Sequence, residues 1–221
     1  MFSSESLPVA EAYAAWLADA GTVRGLIGPR EVPRLWERHL LNCAVLAEVL
    51  EPGATVCDLG SGAGLPGLVL AIARPELRVT LVEPLLRRTT FLEEVVADPG
   101  LASVEVVRGR AEDLHGSRRF DAVTSRALAP LHRLVGWSMP LVATTGAMLA
   151  MKVSTAGSEI VAAGPVLREL GCAEPEIVEL GGDVLPSPTI IVRVAGGEPG
   201  RVGWPLAPTA VRRPSRTRRQ R

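Results

Sequence analysis

Residues 57–67 read CDLGSGAGLPG: an aspartate at the end of an apolar run, glycines at 60, 62, 64 and 67, and a proline just before the last of them. The run that leads in, ATVCDLG, starts after Pro52-Gly53 and has the continuous apolar character of a strand buried on both faces. Beyond the glycines the pattern alternates. A helix is predicted over 65–74, a strand over RVTLVE (78–83), a helix over 85–97, a strand over SVEVV (103–107) and a short helical turn near 111–114. Next come a strand FDAVTS (120–125), a helix over 130–142, a strand GAMLAMK (146–152), a helix over 157–170 and two closing strands, EPEIVEL and TIIVRVA. Strands separated by helices of about ten residues pair in parallel, because a parallel crossover needs that length. The reading is α/β: a Rossmann-like, doubly wound, mostly parallel sheet. The last two strands, with no helix between them, form an antiparallel hairpin at its edge.

Upstream, PVAEAYAAWLADAG (8–21) and the longer stretch 30–50 carry apolar residues at helical spacing. The chain therefore divides into an N-terminal helical cap (1–52), a catalytic-type domain (53–196) and a basic tail (197–221). No apolar run reaches the roughly 20 residues that span a bilayer, and the N-terminus lacks the basic start of a signal peptide, so a cytoplasmic protein is expected. Cys43, Cys57 and Cys172 match no metal spacing and are expected to be small core residues. The formal charge of zero conceals an asymmetry: six arginines stand in the last ten residues, leaving 18 basic against 24 acidic residues elsewhere. Such a tail is too polar to pack and attracts phosphates, or is simply the solvated end of an arginine-rich chain.

The glycine loop fits two templates. Gly62, Gly64 and Gly67 satisfy the dinucleotide pattern G-x-G-x-x-G, while Gly60, Gly62 and Gly64 satisfy G-x-G-x-G. A pyrophosphate wants free N–H groups and no anion beside it. Asp58 at the strand mouth is a poor neighbour for a pyrophosphate and a good one for the ammonium of S-adenosylmethionine, directly or through water. Glu83 ends the second strand, where a carboxylate accepts ribose hydroxyls in either cofactor class. Glu112, with Asp113, follows the third strand, and the groups around Ala111 and Glu112 can read an adenine edge. Arg126 ends the fourth strand at the ligand edge, placed for a cofactor carboxylate or an acceptor base. Lys152 is the single lysine among 24 basic residues and ends the fifth strand, where it can hold a phosphate or a base. Arg38 and His39 lie on the helix that leads into the sheet and can line an RNA entrance. A methyltransferase on another RNA or a small molecule, an NAD(P)-dependent oxidoreductase, and a nucleic-acid-binding protein with a decayed pocket stand as alternatives.

DLGSGAGLPGLVLAI, GRAEDL, the SRALAPL segment with Arg126, the AMK lysine and HLLNCA (39–44) together resemble the small-subunit ribosomal RNA methyltransferase G family, also called glucose-inhibited division protein B. The resemblance runs from about residue 35 to 160, and the family's closing run of Pro, Lys and Arg is replaced by the arginine tail. It implies a class I S-adenosylmethionine-dependent methyltransferase with cofactor contacts at Gly60, Leu65, Ala111, Glu112 and Arg126. It also implies methylation of guanine N7 in the 530 loop of 16S rRNA, conventionally nucleotide 527, and mild streptomycin resistance on loss. The partner is then 16S rRNA or the 30S subunit, and the enzyme is expected to be a monomer without membrane or metal. Guanine N7 carries an in-plane lone pair and no proton, so no general base is required.

Overall fold

A computed structural model of the chain describes residues 1–97, 99–152 and 155–197. Seven strands form one sheet in the order β3-β2-β1-β4-β5-β7-β6: β1 (Thr55–Leu59), β2 (Arg78–Glu83), β3 (Val104–Arg108), β4 (Phe120–Arg126), β5 (Val142–Lys152), β6 (Glu176–Leu180) and β7 (Thr189–Ala195). The first five are parallel. β7 runs antiparallel to both β5 and β6, so the closing hairpin joins the sheet through its second strand and leaves β6 at the edge. The strand expected over 146–152 begins four residues earlier, at Val142, with a shift of register against β4 between Phe120 and Ala122.

Helices cover both faces because successive strand residues point to opposite sides. Val56, Leu81 and Leu149 face a core shared with α1 (Leu7–Trp16), α3 (Gly67–Ala73) and α4 (Leu86–Val96). Cys57, Val82 and Met148 face a second core with α5 (Leu131–Ser138) and α6 (Ala156–Glu169). The N-terminal cap belongs to the first core: Tyr13, Leu17, Leu40 and Leu46 are buried in it. The stretch 30–50, expected as one helix, is an irregular helical run. Its α-helical part, α2 (Asn42–Ala44), is flanked by wide turns at Leu35–Leu41 and tight ones at Pro29–Arg34 and Val45–Val49. Pro33, which has no N–H to donate, lies in the first of these. α3 starts at Gly67 and not at 65, with Pro66 at its N-cap. The tail from 198 on lies outside the described residues.

Candidate active site

β1 pairs with β2 on one side and with β4 on the other, so the sheet order reverses there and a crevice opens at the carboxyl ends of these strands. The loop after β1 curls into it, with Gly60, Gly62 and Gly64 at φ of +67°, +58° and +100°. Gly60 carries a steric demand as well, since a Cβ there would run into Leu128. The loop is pinned from three directions. Gly60 and Ser61 donate their N–H groups to the Val82 carbonyl at 2.8 and 3.2 Å. Glu83 Oε2 accepts from Gly62 N–H at 3.0 Å. The protein's single tyrosine, Tyr13 on α1, donates to the Ala63 carbonyl at 2.8 Å.

Asp58 lies beneath the loop, fully buried. Its Oδ2 accepts from Gly67 N–H at 3.1 Å and its Oδ1 has no partner. Burial pushes its carboxyl up to about 7, against the opposing pull of the Gly67 hydrogen bond. In an unfolded chain an aspartate titrates near 4. The folded state therefore holds this proton more tightly, and the stability it contributes is full below about pH 4 and is lost as pH rises through 7. Asp58→Asn keeps an accepting oxygen and abolishes the titration. It is expected to flatten the fall of melting temperature between pH 4 and 7; a variant profile as steep as the parent's would contradict this.

Two hollows meet at Gly60. One, of about 200 Å³, is lined mainly by apolar groups of Val82, Pro84, Ala111 and Trp137, with Glu112 at its mouth. The other, of about 480 Å³, is lined by the glycine loop, Leu65, His39, Arg88 and Arg126. Leu128 borders both. It reaches Gly60 because Ala127 turns the backbone through φ +51°, a conformation that costs a residue with a Cβ roughly 1–2 kcal/mol.

Arg126 joins this wall to the N-terminal cap. Its Nη2 donates to the Arg38 carbonyl at 3.2 Å and approaches His39 Nδ1 at 2.9 Å, while Nη1 points to Cys43 Sγ at 3.4 Å. On its other side the imidazole meets Glu31, with Nε2 3.0 Å from Oε2. Arginine can only donate, so His39 presents its Nδ1 lone pair to Arg126 and donates Nε2–H to Glu31. Burial and the neighbouring Arg126 charge hold His39 below its ordinary value, keeping this neutral tautomer.

The family model for rRNA small subunit methyltransferase G matches residues 6–182. The chain belongs to the rRNA small subunit methyltransferase G family. The ribosomal RNA small subunit methyltransferase G of a Nocardioides species is 67% identical over 207 residues, spanning 94% of this chain and 83% of the relative. That of Streptomyces avermitilis is 54% identical, spanning 95% and 89%. Among solved structures, an S-adenosylmethionine-dependent O-methyltransferase of Thermotoga maritima superposes with a TM-score of 0.56 at 14% identity, over 76% of this chain and 70% of that one. A precorrin-6y C5,15-methyltransferase of Geobacter metallireducens gives 0.52 at 15%, over 78% and 91%. These likenesses place the fold in class I of the S-adenosylmethionine-dependent methyltransferases.

The site of this methyltransferase G family member fits S-adenosylmethionine. A mainly apolar hollow, a glycine loop and a nearby guanidinium are compatible with that group. A pyrophosphate would find the first N–H of α3 already bonded to Asp58. Among the residues anticipated as cofactor contacts, Gly60, Gly62, Leu65, Ala111, Glu112 and Arg126 line the hollows. Gly64 sits deeper, against Leu68 and the Tyr13 hydroxyl. Asp58 and Glu83 do not line them. Asp58 secures α3. Glu83, 1% exposed, has Oε2 on Gly62 N–H and Oε1 on Leu85 N–H at 3.1 Å.

The expectation that Lys152 holds a phosphate or a base is corrected. Its side chain is 9% exposed, and Nζ donates to Glu159 Oε2 at 2.8 Å and to the Ala129 carbonyl at 2.9 Å. Glu159 also accepts from Leu131 N–H at 2.8 Å. The pair thus clamps the turn that carries Arg126 and Leu128, because a charge this buried must be matched. Lys152→Met is expected to cost about 2–3 kcal/mol by leaving Glu159 unmatched. The double change with Glu159→Gln, which keeps an acceptor for Leu131, recovers most of it; equal denaturant midpoints for the single and double variants would contradict the clamp. Arg38 is half-exposed with its Nε 3.4 Å from Glu31. His39 has a carboxylate partner in Glu31. Glu31, Cys43 and Tyr13 are contributors that sequence reasoning missed. Cys43 and Cys57 are fully buried and Cys172 is half-buried.

Proposed function

We propose that this chain methylates N7 of a guanine in the 530 loop of 16S rRNA, the nucleotide conventionally counted 527, using S-adenosylmethionine. The observation that carries this reading is the bonding of the His39–Arg126 pair beside the glycine loop. The imidazole lone pair is turned to Arg126 and its N–H to Glu31, so it neither accepts nor supplies a proton toward the hollow. Such a wall suits an acceptor that arrives with its own lone pair and no proton to lose, and guanine N7 is one.

Bound S-adenosylmethionine supplies a methyl carbon on a cationic sulfur. The protein's task is alignment. Arg126 gives the donor's carboxylate a fixed partner, and the slot at Ala111 and Glu112 holds the purine end. Leu128, between the hollows, keeps water from the junction where N7 meets the methyl group. Orientation of this kind is worth several kcal/mol of the barrier. N7-methylated guanine is opened by borohydride and cleaved by aniline, which gives a site-specific readout. Incubating 16S rRNA or 30S subunits that lack the modification with the protein and S-adenosylmethionine is expected to create one new primer-extension stop in the 530 loop. Methyl incorporation without that stop would leave an rRNA methyltransferase with a different target atom, and no incorporation would overturn the proposal.

A further inference from the structure

Among the described residues, several exposed arginines at the carboxyl edge of the sheet stand without an ion pair, beside Arg38 and Arg88, which pair with Glu31 and Glu83. At the amino edge Arg74 pairs with Glu76, Arg118 with Glu105 at 2.7 Å and Arg193 with Glu176 at 3.0 Å. Arg119 there donates to the Val142 carbonyl at 3.0 Å, and Arg78, at the start of β2, has no ion pair among the described residues. At the carboxyl edge, Arg30 and Arg34 stand on the turn Pro29–Arg34, close in sequence to Leu26, Ile27 and His39 of the hollow's wall. Arg87 opens α4 just past β2, Arg108 ends β3, and Arg133 lies in the first turn of α5 past β4. All five are exposed. Among the described residues none of them has a carboxylate within ion-pair distance.

Exposed apolar side chains neighbour these cations in sequence, Leu85 and Leu86 beside Arg87 and Trp36 beside Arg34. Leu85 and Leu86 are 50% and 57% exposed, and Trp36 is 37% exposed, its ring edge-on to Phe2. Cations that neutralise phosphates, alternating with apolar faces for unstacked bases, are what a single-stranded nucleic acid loop requires. We infer that Arg30, Arg34, Arg87, Arg108 and Arg133 form a phosphate-docking rim around the crevice, with Leu85, Leu86 and Trp36 receiving splayed bases of the rRNA loop. The inference rests on the rRNA reading above and adds where the RNA backbone lies.

Counterion release makes the test quantitative. The full chain, saturated with S-adenosylhomocysteine, is titrated with an RNA hairpin carrying the 530 loop across a series of salt concentrations. Each phosphate neutralised on a single strand contributes about −0.7 to the slope of log K against log salt. Arg30→Gln/Arg34→Gln and Arg87→Gln/Arg108→Gln are each expected to reduce the slope's magnitude by about 1.4, and Arg133→Gln by about 0.7. Arg78→Gln, at the opposite edge, is expected to leave it unchanged. Thermal stabilisation by S-adenosylhomocysteine, which all variants should retain, shows that they are folded. A parent that methylates the hairpin while the rim variants keep its slope, or while Arg78→Gln lowers it equally, refutes the rim and leaves the function standing. A parent that neither binds nor methylates the hairpin or the 30S subunit overturns the functional reading and the rim with it.

Discussion

Arg126→Ala is expected to lower methyl transfer by roughly 10²–10³-fold, equivalent to about 3–4 kcal/mol at the transition state. The guanidinium does two things at once. It presents a charge to the hollow that contains the glycine loop, and it holds the Arg38 carbonyl and His39 Nδ1 from across the cap. Truncation leaves those acceptors without a donor, and a buried acceptor left so costs about 1–3 kcal/mol. The cap then loosens over the very wall that receives the donor. KM for S-adenosylmethionine should therefore rise, together with a fall in melting temperature. Arg126→Lys separates the parts: an ammonium restores the charge without the planar fork that reaches three partners, so it should recover some donor affinity and little of the cap's attachment. An Arg126→Ala enzyme with parental KM and parental stability would contradict the assignment.

Gly67→Ala is expected to be strongly destabilising. A Cβ there would stand 2.9 Å from both Cβ and Oδ2 of Asp58 and closer still to Leu81. β1 and β2 cannot yield, because both are central strands buried in the sheet. α3 must back away instead, which breaks the Asp58–Gly67 hydrogen bond and leaves a carboxylate already lacking one partner with none. Overpacking of this kind costs about 1–3 kcal/mol and the orphaned acid a similar amount, so a loss on the order of 3 kcal/mol or more is expected in chemical denaturation. Donor affinity should fall in parallel, since the loop ends where α3 begins. A Gly67→Ala protein with parental stability would show that the close approach is relaxed at no cost.

The sheet was legible because its signals are local. Apolar runs of strand length alternate with helical periodicity, and Pro52-Gly53 and the glycines at 60–67 punctuate the entry into the crevice. The carboxyl ends of the strands followed from that order, and the family resemblance marked Gly60, Ala111, Glu112 and Arg126 on them as cofactor contacts. What stayed hidden depends on contacts between distant segments. Nothing at Glu31 announces that it faces His39 eight residues later, because the helical run between them is irregular. The bond from His39 to Arg126 spans 87 residues and that from Tyr13 to Ala63 spans 50. A tyrosine on the apolar face of α1 was the available hint, since a buried hydroxyl needs a partner. Lys152 misled for a physical reason: its rarity suggested a phosphate or base as its partner, whereas it answers the charge of Glu159 inside the fold. Asp58 was rightly placed at the strand mouth, yet depth decides its chemistry, and sequence does not report depth.

The central claim is that the crevice between β1 and β4 receives S-adenosylmethionine, adenine toward Ala111 and Glu112 and carboxylate toward Arg126. Crystals grown with S-adenosylhomocysteine test it most directly. Difference density is expected for the purine in the slot beside Val82 and Trp137, for the ribose and sulfur over Gly60 with Leu128 displaced, and for the carboxylate at the guanidinium of Arg126. Density for the ligand in the reverse direction, or a crevice that stays empty at saturating ligand, would contradict it.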